Sequence, residues 1–576
     1  MKYLFIVWVL ILSLVAPNPA MSDHKPLSVY AETRHPYTLI PGLGTIHHPV
    51  STSNPQAQEF FNQGLNLIYA FNHDEAVRSF QYAAKLDPHL AIAYWGIALA
   101  LGPNINSEID PNRELAAYQA VQQALTLSTQ ASTQERDYIT ALAKRYSQDA
   151  DADLSQLALY YAEGMATLVK RYPDDLDAAT LYAESLMDLH PWQHWTKDGK
   201  PQPDTEKIVT ILESVLKRNP NHTGANHYYI HAVEASPSPE RALVSAKRLG
   251  TLAPAAGHLV HTPSHIYFRV GDYEGAMRAN KQAIAQDDLY IKKYQVQGTY
   301  PMMYYNHNIH FLMVASSMAG KYKDALQAAE TLVANATAID PYATMLEGFL
   351  GSKMLIQTRF SDWDVILKTP IPDAKLPTTT ALWHFARGMA IAATGKLKDA
   401  ASESQALLAA KQVIPIEATI GFSPASHILD IASKVLDAKI AREKHDYESA
   451  IQLLEKAIVV EDTLKYVEPP DWYFPTREAL GGVLLAKGDY REAEKVFRAD
   501  LKKYPHNGRS LFGLQASLQA LGKDEAAQVV KAELETAWKG DEQQLIPFYF
   551  NNDTNTLVGA QQCCALTRNL YVSGFV

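Results

Sequence analysis

The stretch from Gly64 to Pro88, GLNLIYAFNHDEAVRSFQYAAKLDP, decides the fold. Counting Ala57 as position 1, Gly64, Ala76, Phe80, Ala83 and Pro88 fall at positions 8, 20, 24, 27 and 32. Small residues at 8, 20 and 27 let two helices approach closely, and the proline sits where the second helix has to stop. The register recurs 34 residues on, at Ala91 (AIAYWGIALALG), and further units start near Leu176, Thr223, Gly257, Asn306, Ala381, Ile431, Phe474 and Gly508. The intervals Thr223 to Gly257 and Phe474 to Gly508 are each 34 residues. A G-x-Y-x-x-A punctuation returns at Gly271/Tyr273/Ala276, Gly320/Tyr322/Ala325 and Gly488/Tyr490/Ala493.

Paired helices at this period are the mark of the tetratricopeptide repeat (TPR). The chain is therefore predicted to be all-α, a TPR-like α-solenoid of antiparallel helix pairs whose first helices line a concave groove. Residues 1–20 read as a signal peptide and 21–55 as an extended leader that drapes over the first repeat. Residues 56–366 form an N-terminal array, 367–380 (LKTPIPDAKLPTTT) a break, 381–540 a C-terminal array, and 541–576 a tail without repeat register. From Gly257 to Asn306 the interval is 49, which makes Asp287 to Pro301 (DDLYIKKYQVQGTYP) an inserted loop. Residues 191–205 (PWQHWTKDGKPQPDT) read as a second surface loop.

Composition agrees with a repeat protein. The chain has 576 residues, 47% hydrophobic and 20% charged, a length beyond one compact core unless the core grows in one dimension. A net charge of −10 excludes nucleic acid and an anionic membrane surface as main partners, since both need a basic patch. Lys2 followed by the apolar run Tyr3 to Ala16 has the form of a secretory leader, with cleavage after Ala20 or retention as an anchor. Export to the periplasm or the extracellular space follows, with no membrane span in the mature chain. Adjacent Cys563 and Cys564 staple nothing, so the fold does not rest on disulfides.

The 20 histidines are informative through their register. Positions 2, 5 and 9 of a unit lie within about 60° of one another on a helix, on the face that forms the concave wall. In three successive units these slots hold His227 and His231, then His258, His261 and His265, then His307 and His310. Seven of nine slots are His where the overall content predicts fewer than one, and Glu234 follows on the same face. Neutral imidazole is the commonest protein ligand of zinc, copper and non-haem iron. His227, His231, Glu234, His258, His261, His265, His307 and His310 are thus the candidate ligands of a transition metal, copper or zinc ahead of iron, in a mononuclear or binuclear site. The bland reading makes them groove residues that bind an acidic peptide or ligand, or mere packing.

Other histidines read differently. His384, His427 and His506 are taken as satisfied groove or core residues, His47 and His48 as surface, and His73 as a cap in a turn. His190 and His194, in a Trp-rich loop, either lid the groove or merely connect two helices. Tyr228, Tyr304, Tyr305 and Arg269 are placed near the cluster as acid, base or oxyanion partners. No phosphate loop, dinucleotide fingerprint or serine-hydrolase elbow occurs, and the spacing is not HExxH.

The phrases FFNQGLNLIYAFNHDEAVRSFQYAAKLDP, AYWGIALALGPNIN, NHYYIHAVEAS and AGHLVHTPSHIYFRVGDY resemble those of a family of exported bacterial TPR proteins, over roughly residues 45–540. The resemblance implies a solenoid and a secreted character but no reaction. Two readings of function follow: a His-rich transition-metal site on the concave face, as part of a metal-dependent enzyme, or a scaffold that holds a peptide, protein segment or small molecule in its groove without catalysis.

Overall fold

The computed structural model describes residues 36–339 and 344–545. The proposed signal peptide, the start of the leader and most of the C-terminal tail lie outside them. Among the described residues the protein is a TPR-like α-solenoid of 26 α-helices with a single two-residue strand pair, Thr419–Ile420 against Ser423–Pro424.

Local chemistry starts and stops the helices. Asn54 accepts hydrogen bonds from the amides of Gln56 and Ala57 at the start of Pro55–Tyr69, and Ser132 forms a capping box with Glu135 at the start of Thr133–Leu142. The G-x-Y-x-x-A glycines carry the left-handed turn between paired helices, with φ of 79°, 79° and 88° at Gly271, Gly320 and Gly488. Phe71, Ser361 and His445 occupy the equivalent slot at 53°, 60° and 60°, so this turn is left-handed even where the residue is not glycine. Phe80 lies between Gly64 of its own pair and Gly96 of the next, where a Cβ would come within 2.6 and 2.4 Å of its ring.

Two expected loops turn out differently. Tyr273–Tyr294 continues as helix through most of the insertion, because Tyr290 and Tyr294 lie one turn apart and bury their rings, Tyr290 against Tyr300. Only residues 295–299 remain open before the wide turn Tyr300–Tyr305. Residues 369–376 form a short connection between Trp363–Lys368 and Pro377–Ala393, and one apolar core runs across it from Phe268 to Leu545. A second core extends from Leu43 to Tyr304. The two meet at the histidines.

The leader does pack on the array. The Ile40 amide donates to Gln63 Oε1, the Val50 amide to Gln58 Oε1, and Ala255 donates to the Gly42 carbonyl. Distant parts of the array come together. The array curls until the Tyr273 hydroxyl donates to the Pro505 carbonyl at 2.9 Å and the Lys539 amide to the Ala319 carbonyl at 3.0 Å. No helix among the described residues is long and apolar enough to cross a membrane.

Candidate metal centre

Four short helical segments carry the site. Thr223–Val233 presents His227 and His231 one turn apart; Gly257–His261 and Pro263–Arg269 carry His258, His261 and His265; Asn306–Met318 carries His307. The imidazoles sort into two triads, His227/His231/His258 and His261/His265/His307, and within each the ligating atoms lie within 4.8 Å of one another. In the first, His227 Nε2 stands 3.0 Å from His231 Nε2 and 3.2 Å from His258 Nε2. In the second, His261 and His265 face Nε2 to Nε2 at 3.0 Å, with the His307 ring 4.7 Å from that of His261.

In four of the six imidazoles the other ring nitrogen fixes the tautomer. His227 Nδ1 donates to the Tyr69 carbonyl at 2.6 Å. His231 Nδ1 and His265 Nδ1 donate to the two oxygens of one carboxylate, Glu234, each at 2.6 Å. His261 Nδ1 donates to Asn280 Oδ1 at 2.7 Å, and the Asn280 amide nitrogen is committed to the Ala276 carbonyl. With the proton on Nδ1, the Nε2 lone pairs point at one another, an arrangement that repels unless a cation stands between them. Nitrogens about 2.0–2.1 Å from a tetrahedral ion are about 3.3 Å apart, close to the spacing of these pairs.

Burial pushes His227, His258, His261 and His307 well below the usual imidazole range, and the neighbouring imidazoles push the same way, which keeps them in the neutral, ligating form. Burial works against ionisation of Glu234, but His265 and His231 outweigh it and hold the carboxyl below its ordinary range. Glu234, expected among the ligands, has ligand spacing with His231 and His265, and in this structure its two oxygens accept from one imidazole of each triad. His310 is not brought into either triad. It turns toward the second core, against Phe349 and Tyr473, and burial lowers it to about 4.

Each triad has its own aromatic wall. Phe71 lies 4.6, 5.4 and 6.2 Å, centroid to centroid, from His227, His258 and His231, and Phe311 lies 5.1–5.8 Å from His265, His261 and His307. Trp192 sets its edge on His231 at 5.4 Å, and the Trp195 indole donates to the Ala232 carbonyl, so the loop of residues 191–205 covers this end of the wall. His194 is buried there and lowered to about 4 by burial and His190. From the far end of the chain the Tyr466 hydroxyl donates to Glu234 Oε2 at 3.2 Å, while Arg269 holds the Glu234 carbonyl. Of the expected partners, Tyr304 reaches His258 at 5.0 Å and Tyr228 stacks on Phe71, but Tyr305 turns away to Asp288. Phe71 carried a signal in the sequence, an aromatic in the glycine slot of the repeat turn; Tyr466 carried none.

His48 is not a surface residue. Its Nδ1 pairs with Asp177 Oδ2 at 2.8 Å, and Asp177 also receives the Tyr69 hydroxyl and His222. His48, Asp175 and Asp177 have ligand-like spacing, yet their oxygens are engaged: Asp175 caps Leu176–Met187 and takes Tyr138 and Gln134. His47 is exposed, as is His427, which was expected in the groove or core; His384 bonds Glu403 and His506 faces the Gly271 carbonyl; His73 opens His73–Leu86 but is not its cap, its Nε2 facing Asn104 instead.

No family model matches this chain, and no curated protein matches it. Among solved structures it is similar to a human IFIT1 dimer with PPP-AAAA, at 12% identity over 83% of this chain and 89% of that one, with a TM-score of 0.29. It is similar to yeast Tom70 at 14% identity, over 88% and 93% of the two chains, with a TM-score of 0.28. Cut9, in a complex with Hcn1, gives 13% identity over 84% and 76%, with a TM-score of 0.30. None of these likenesses bears on the histidines.

Proposed function

We propose that this protein is an exported metalloprotein holding two transition-metal ions, copper or zinc ahead of iron, one in each histidine triad. The observation that carries the reading is the convergence of Nε2 atoms within two triads, in each of which two imidazoles, His227 and His231 in one and His261 and His265 in the other, have their Nδ1 protons pinned from behind. An ion with three protein nitrogens keeps one coordination position open, the mark of catalytic rather than closed structural sites. We therefore favour a metal-dependent enzyme acting on a small molecule at this aromatic-walled site. Glu234 fixes the spacing of the two centres by orienting His231 and His265 with one rigid group. The scaffold reading has less support, because Tyr466 and the Trp192 loop cover the wall on which a peptide would lie.

Elemental analysis of tag-free protein from its native compartment tests the proposal. One to two equivalents of copper or zinc are expected, with a higher melting temperature on adding the metal to stripped protein. Less than about 0.2 equivalents together with no thermal shift would end the proposal, since a bound ion must stabilise the fold by mass action.

A further inference from the structure

A second buried polar site lies away from the histidines, where the array closes on itself. Ser352–Arg359 ends on Arg359, and Arg509 stands in the first turn of Gly508–Ala520. Both guanidinium groups are 1% exposed. Arg509 Nη2 donates to the backbone carbonyls of Arg359 at 2.7 Å and Gln544 at 3.1 Å, so the Arg509 side chain is held at the end of the helix that carries Arg359, across 150 residues of sequence.

Their charge is not balanced by the protein. Glu478 is the one acid within ion-pair reach among the described residues, 3.4 Å from Arg359 Nη2 and 3.8 Å from Arg509 Nη1. Both distances exceed the roughly 2.7–2.9 Å of a direct charge-assisted bond. Asp500, the next acid, is turned to Asn507 and Ser510. Nε and Nη1 of Arg359 and Nη1 of Arg509 have no acceptor. Phe360 and Trp538 flank Arg509 at 5.1 and 5.7 Å, so the surroundings are otherwise apolar. An unpaired buried charge with orphaned donors is among the costliest arrangements a fold can keep. Burial and the neighbouring Arg359 accordingly lower Arg509 to about 9.

We propose that a compact monovalent anion of halide size binds between Arg359 and Arg509, taking the orphaned N–H groups and completing with Glu478 the neutralisation of the pair. One negative charge is what the balance of two guanidiniums and one carboxylate requires. The guanidinium fork supplies fixed donors for it. Because Arg359 and Arg509 belong to segments that meet only when the array curls shut, the anion acts as a clamp on the closed form.

Bromide is the probe. Thermal unfolding of the full chain is followed in sodium gluconate, whose anion is too bulky for an enclosed site, while bromide replaces gluconate at constant ionic strength. A melting temperature that rises by several degrees and saturates is expected, with an anomalous bromide peak at about 3.2–3.5 Å from both guanidiniums in crystals grown with the salt. In Arg359→Met the charge excess is gone, and the dependence on bromide should vanish. A native melting temperature indifferent to bromide, a bromide effect that survives in Arg359→Met, or a crystal with no bromide between the two arginines overturns the proposal. If Arg359→Met does not fold, the native titration and the crystal decide.

Discussion

Glu234 gives one oxygen to an imidazole of each triad, so a single substitution reaches both centres. Glu234→Gln keeps the shape but offers one acceptor and one donor to two N–H groups, which leaves one imidazole facing a donor. We expect metal affinity to fall about 10–100-fold, the usual range for loss of such a supporting group, measured by competitive chelator titration. Unchanged affinity at both centres would remove Glu234 from its role. The double variant His227→Ala/His261→Ala should lose the metal altogether while its far-ultraviolet circular dichroism stays native. Acid sensitivity is a residue-scale property too. Burial lowers His194 and His310 to about 4 and His73 to about 3, so below pH about 6.5 the unfolded chain takes up protons that the folded one refuses. His48 is raised, burial notwithstanding, by Asp177, and has the opposite sign: its contribution is present below about pH 6.5 and fades as pH rises through its folded value. The other buried histidines of the metal-free protein act in the lowered direction too, whereas Glu75, Asp287, Asp471 and Asp500, raised to about 7 by burial, act oppositely. The histidine part is therefore read by difference: His194→Gln/His310→Gln should lessen the loss of stability between pH 7 and 5 in urea unfolding, and an unchanged pH profile would contradict this. The seven slots were legible because helical register alone places residues on a face. Which nitrogen points inward was not, since Tyr69 and Asn280 reach the imidazoles from other helices.

At the scale of the element, small residues decide how helices stack. Phe80 fills the space left by Gly64 and Gly96, and Phe497 does the same between Gly481 and Gly513, where an added Cβ would fall 2.5 and 2.1 Å from its ring. Gly96→Ala therefore overpacks the contact between the first two helix pairs, and a loss of about 1–3 kcal/mol is expected in denaturant unfolding. A neutral result would mean that Phe80 has room to move. The same spacing made the repeat legible, since positions 8 and 24 touch in the pairs Gly64/Phe80 and Gly481/Phe497. The insertion after Asp287 was misread for a physical reason. Length beyond the repeat was taken for loop, whereas Tyr290 and Tyr294 recur at helical spacing and gain burial by continuing the helix.

The whole molecule is curled more tightly than its units announce. Each repeat sees only its neighbours, and curvature is a sum of small rotations between them, which no local pattern encodes. Contacts such as Tyr273 with Pro505 and Tyr466 with Glu234, both 232 residues apart, therefore appear only in three dimensions. Gly271 sits at the closure with φ of 79°, and a Cβ there would lie 2.4 Å from the Pro505 carbonyl oxygen. Gly271→Val should pry the two arms apart, raising the radius of gyration in small-angle scattering and speeding metal loss to a chelator while helicity is retained. If scattering and chelation both match the native protein, closure does not depend on this corner.

The seclusion of the histidines bears on how the metal is chosen. First-row ions differ in affinity for nitrogen ligands in nearly the same order everywhere, and copper wins in open competition. An ion held as proposed behind Phe71, Phe311 and Tyr466 would be shielded from that competition once the arms have closed. Under the proposed function, the identity of the ion would then be set by whichever metal is on hand while the arms close, and would reflect the place of folding more than relative affinity.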